Sequence, residues 1–124
     1  MSMLWWKREL LALYLLTVQG IALADGIDTQ ALAYRQLLQH HMQVIEQSKL
    51  ILDDHDSTAT PLQQQQALCE RLYAYQQIVH LGDQFAHVEQ AQSMKHVAQF
   101  YLNQQSASFQ QSGMAVEQWC PAKP

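Results

Sequence analysis

Apolar residues recur along this chain in two rhythms, an unbroken run near the start and then steps of three and four to the end. The unbroken run covers Leu10 to Ala24, carries no charge, and follows Lys7 and Arg8. A basic stretch, a short apolar stretch and a small-x-small end are the build of a secretory signal peptide. Ala22 and Ala24 supply the small-x-small pattern, and Gly20 can break the apolar helix just before it. A membrane-spanning helix needs about 20 apolar residues, and this run also holds Gln19 and Gly20. The expectation is a signal peptide over 1–24, cleaved after Ala24, and one domain over 25–124. An uncleaved anchor is the alternative.

Beyond Ala24 the pattern is helical throughout. A first helix is expected from Asp28 or Thr29, either of which can accept from an orphan backbone N–H. Ala31, Tyr34, Leu38, Ile45 and Leu52 mark its apolar face, widened by Leu37, Met42 and Ile51. The polar cluster Asp53-Asp54-His55-Asp56-Ser57 ends it. The second start signal is the clearest in the chain. In Thr60-Pro61-Leu62-Gln63, an N-cap Thr, a Pro at the first helical position and a Gln at the third form a capping box. Leu68, Leu72, Tyr75 and Val79 follow at helical steps, with Cys69 and Ile78 beside them. Gly82-Asp83 reads as the break, Gly suiting a left-handed C′ position and Asp the next N-cap, with a continuous helix through Gly82, at a cost of about 1 kcal/mol, as the alternative. A third helix would carry Phe85, Val88, Met94, Val97, Tyr101 and Phe109 and end near Ser112-Gly113. The tail from Met114 has Val116 and Trp119 to bury. No strand pattern of comparable strength appears. The expected fold is all-α, a small three-helix bundle with a C-terminal tail stapled by one disulfide.

The staple comes from cysteine arithmetic. Cys69 and Cys120 are the only cysteines, and in an exported chain an oxidising compartment is expected to pair them within the chain, two buried free thiols or a disulfide-linked dimer being the alternatives. The chain-entropy argument assigns such a loop about 4 kcal/mol. Charge and composition then narrow the partners. Beyond Ala24 the chain carries Arg35, Lys49, Arg71, Lys95 and Lys123 against ten acids. Without a basic patch, neither nucleic acid nor anionic lipid has an electrostatic footing. Once the leader is cleaved, no stable membrane anchor is expected. Twenty glutamines lie in the same stretch, interleaved with apolar residues at helical spacing. They read as uncharged solvated helix faces, since Gln is a good helix former.

All six histidines lie beyond Ala24. His80, Asp83 and His87 stand at i, i+3 and i+7, a candidate Zn²⁺ or Cu²⁺ set on an unbroken helix. Two turns separate the histidines by about 10 Å of rise, however, and Gly82 intervenes. His40-His41 point about 100° apart, and the loop Asp53-Asp54-His55-Asp56 lacks EF-hand spacing. No nucleophile elbow, phosphate-cradling loop, His-Glu-x-x-His or Cys-x-x-Cys occurs. Catalytic residues and resident cofactors are therefore not expected. The sequence points to a periplasmic or secreted bacterial protein that binds another macromolecule, of inhibitor, immunity or chaperone type, or that forms a homo-oligomer. Tyr73 and Trp119 are the candidate interface residues, since Tyr and Trp anchor interfaces well. A periplasmic metal-binding protein using His80, Asp83 and His87 is the rival reading.

Overall fold

The computed structural model describes residues 29–121. The expected signal peptide, the cleavage point after Ala24 and the boundary between 24 and 25 lie outside them. The chain falls into two units, Met1–Ala33 and Tyr34–Pro124. Of the first, only the opening turns of one helix, 29–33, are described, and the packing below belongs to the second.

Three long helices and a short one carry the fold, with no strand among the described residues. Helix α1 spans 29–52. Tyr34, Leu38 and Ile45 are its buried apolar positions, the centre of the stripe its periodicity predicts. Asp53-Asp54-His55-Asp56-Ser57 ends it as expected. There the Asp54 carboxylate accepts from the Asp56 N–H at 3.0 Å, and the Ser57 hydroxyl from the Ala59 N–H at 3.3 Å. These local bonds offer the backbone an alternative to continuing the helix.

Helix α2, Pro61–Gln84, starts at the predicted capping box. The Gln63 N–H donates to the Thr60 hydroxyl at 3.2 Å, while the Thr60 N–H donates to the Gln63 side-chain oxygen at 2.9 Å. Two orphan donors are satisfied reciprocally, and Pro61 has no N–H to satisfy.

The expected break at Gly82-Asp83 is not where α2 ends. The helix runs through Gly82 to Gln84, and the turn falls over 85–88. Gly82 serves a different purpose. It is buried, and a Cβ built there would lie 2.6 Å from Lys95 Cβ and 3.1 Å from the Ala91 carbonyl oxygen. The missing side chain lets the next helix pass against α2. Its carbonyl also accepts from Gln92 Nε2 at 2.7 Å. Asp83 is likewise no N-cap, because its carboxylate takes the Lys95 ammonium at 2.5 Å.

Helix α3, Glu89–Gln111, therefore begins later than the sequence suggests, and Phe85 and Val88 belong to the turn. Phe85 sets its ring 5.6 Å from that of Tyr34 and so ties the turn to α1. The buried positions of α3 are Ala91, Ala98 and Phe109, whereas Val97, expected in the core, is 55% exposed. The end near Ser112-Gly113 is as predicted. Gly113 takes φ 75°, with the Met114 N–H donating to Phe109 and the Gly113 N–H to Gln110. That is the Schellman closure a glycine permits. Helix α4, Val116–Trp119, follows, and the Cys69–Cys120 disulfide ties it to α2.

One core joins the three long helices: Tyr34, Leu38 and Ile45 from α1, Ala74, Ile78 and Leu81 from α2, Ala91 and Ala98 from α3. Burying a side chain such as Ile78, fully enclosed, is worth about 1.5–3 kcal/mol. No described helix is long and apolar enough to cross a membrane.

Candidate docking groove

Helix α2 carries a second stripe besides its core face. Leu62, Gln66, Cys69, Tyr73 and Gln76 follow one another at steps of four, three, four and three, which keeps them on one side of a helix. Opposite this stripe stands the tail, fixed at its end by the disulfide. The Trp119 carbonyl also accepts from Gln65 Nε2 at 2.9 Å. Between stripe and tail lies an open groove of about 720 Å³. Leu62, Leu72 and Tyr73 line it from α2, and Val116, Trp119 and Pro121 from the tail; Cys69 and Cys120 also lie in its wall.

Two sequence-predicted interface residues thus come together in one site. Tyr73 is 37% exposed. Trp119 is half-buried, with its ring 6.3 Å from that of Phe109, itself buried on α3. The Trp119 indole N–H is buried without an acceptor among the described residues. An unpaired buried donor costs about 1–3 kcal/mol, so what recommends Trp119 at this wall is its apolar surface. Leu62, 63% exposed at the rim, is a groove residue that sequence reasoning missed. Its signal was present, because Leu62, Cys69 and Tyr73 share a stripe.

The charges in the groove are of one sign. Glu70 and Glu117 line it, with no Lys, Arg or His among the described residues. Arg71 follows Glu70 in sequence but turns toward α1. Its Nε donates to the Ser48 hydroxyl at 2.6 Å and its Nη2 to Asp53 at 2.8 Å. Ser48, buried, donates in turn to the Ile45 carbonyl at 2.5 Å. Burial pulls the Arg71 guanidinium down, but hydrogen bonds to Asp53 and Tyr101 outweigh it and hold the group above its ordinary value. Tyr101 also stacks on Tyr75, centroids 4.0 Å apart, and Tyr75 is pushed up first by its own burial and then by Tyr101. This polar cluster clamps the three helices and leaves Arg71 no reach into the groove.

The histidine set is dispersed. His80 is exposed on α2, Asp83 is engaged by Lys95, and His87 sits in the turn beyond the helix end. The spacing assumed an unbroken helix, and α2 stops at Gln84. Among the described residues, no three His, Cys, Asp or Glu side chains come together to hold a metal ion. A second depression, of about 510 Å³, lies between the acidic loop and α2, lined by Asp54, Asp56 and Glu70.

Comparison with known proteins brings no relative. No protein-family model, no curated protein and no solved structure matches the chain.

Proposed function

We propose that this protein is exported and acts without catalysis, by holding another protein in the groove between α2 and the tail. One observation carries the reading: Leu62, Tyr73 and Trp119 offer large apolar surface at a single concave site bounded by a covalent staple. Aromatic side chains gathered in a groove are the usual anchors of a protein interface. The lining holds carboxylates, glutamine amides and bonded cysteines, a set suited to recognition. The disulfide and the apolar leader over Leu10–Ala24 support export to the periplasm or the medium. An inhibitor, an immunity protein and a chaperone would all use such a surface in the same physical way.

The test is site-specific photo-crosslinking in the cells that make the protein. A photoreactive residue replaces either Gln76, on the groove stripe, or Gln99, exposed on α3. The expected result is one adduct of constant mass from Gln76, absent from Gln99 and lost when Leu62→Glu is added. Equal labelling from both positions, or an adduct indifferent to Leu62→Glu, would sink the proposal. Intact mass of the recovered protein checks the export half: it should match a chain beginning at Asp25 with the disulfide closed.

A further inference from the structure

Taking that groove reading as the starting point, we infer that the occupant is an amphipathic helix of the partner, apolar on one side and flanked by lysine or arginine. Charge indicates the basic flanks. Of the described Lys and Arg, Lys49 is paired with Glu46, Arg71 with Asp53 and Lys95 with Asp83, while Arg35 lies on α1 outside the groove lining. Each of these pairs lies away from the groove lining. Glu70 and Glu117 stand on that lining in none of them. Complementary charge on the partner steers encounter and fixes orientation, while a carboxylate there would meet two like charges.

The backbone of the walls points the same way. One wall is the interior of α2, whose N–H and C=O groups are bonded within the helix, and the other is the single turn of α4, so neither presents a strand edge. An extended segment would find no strand edge here to pair with, whereas a helix arrives with its own backbone bonds closed. The groove is also long enough for a helix. From Leu62 to Gln76 the stripe runs about 21 Å at 1.5 Å per residue, room for a partner helix of about 14 residues. Leu62 and Tyr73 stand about 16.5 Å apart along α2, so anchors at i and i+11 on that helix would meet them, with a third anchor between for Trp119.

The experiment uses the full chain and two synthetic helical peptides of that length with one leucine stripe, one flanked by lysine and the other by glutamate. Affinity is measured by calorimetry. The Trp119 indole N–H signal, assigned by its loss in Trp119→Phe, reports on the groove. The lysine-flanked peptide should shift that signal and bind about tenfold tighter than its glutamate twin at low salt. The gap should close in the Glu70→Gln, Glu117→Gln double variant and on raising salt, which screens rim charges. Equal or tighter binding of the glutamate-flanked peptide overturns the inference, as does a lysine-flanked peptide that leaves the indole signal unmoved. The two levels separate cleanly. Crosslinking from Gln76 that depends on Leu62, together with failure of the basic peptide, retires the basic helix and keeps the groove. Absence of that crosslink retires the groove itself.

Discussion

Helix α2 meets its surroundings in two opposite ways. Toward α3 it presents Gly82, and the neighbouring helix comes so close that a single methyl group would overlap Lys95 Cβ. Toward the tail it presents Leu62 and Tyr73, and there the neighbour stands off, leaving an open groove. Small side chains let backbones approach until nothing fits between them. Large ones on the other face line an open groove, and the disulfide, the Gln65 hydrogen bond and the contact of the Trp119 ring with Phe109 hold the tail beside them. The lesson is that the close-packed side secures the fold, and the stapled side is the one left to receive something.

The comparison is most strongly tested at the staple. Replacing Cys69 and Cys120 together with serine should lower stability by about 4 kcal/mol on the chain-entropy argument. The loss should read as a lower urea midpoint, and the Trp119 indole signal should move toward that of a solvated ring. A tail that keeps its indole signal without the disulfide would mean that packing, not the covalent bond, forms the groove.

On the other face, Gly82→Ala should destabilise by roughly 1–3 kcal/mol through overpacking, although alanine is the better helix former by about 1 kcal/mol. Peptide affinity in the groove should be unchanged. A midpoint that rises would show that Lys95 can yield, and that the seam is looser than its geometry implies.

The smallest effect is one of pH and concerns neither face. His41, on α1, is held below its usual value, first by burial and then by the charge of neighbouring His40. The folded state thus favours the neutral ring. Its contribution is complete above the ordinary histidine value of 6.5 and is lost as pH falls through the lower folded value. The urea midpoint should therefore drop modestly between about pH 7 and about pH 5, and drop less in His41→Gln. An identical pH profile in the variant would remove His41 from the account.

What could be read in advance follows the range of the forces involved. Thr60-Pro61-Leu62-Gln63 is a helix start in any context, because the reciprocal bonds close within four residues. The α1 stripe and its acidic stop are equally local, and with two cysteines in the chain the disulfide had one intramolecular partner available. Gly82 was legible as a glycine that mattered and misread as to why. A C′ position and a close helix crossing call for the same residue, and only Ala91 and Lys95, brought in by the fold, decide between them. The same holds for α3, where apolarity favoured Val97 for the core, yet Ala91 and Ala98 are buried while Val97 and Phe100 face out.

The sequence by itself thus determined the helical class, the start of α2, the end of α3 and the pairing of Cys69 with Cys120, each set by residues near one another or by a lone choice of partner. Tertiary structure alone decided which face of α3 is inside and that Tyr73 and Trp119 share a groove. Those outcomes depend on distances between segments far apart in the chain, and periodicity within one helix carries no information about how its neighbour is rotated.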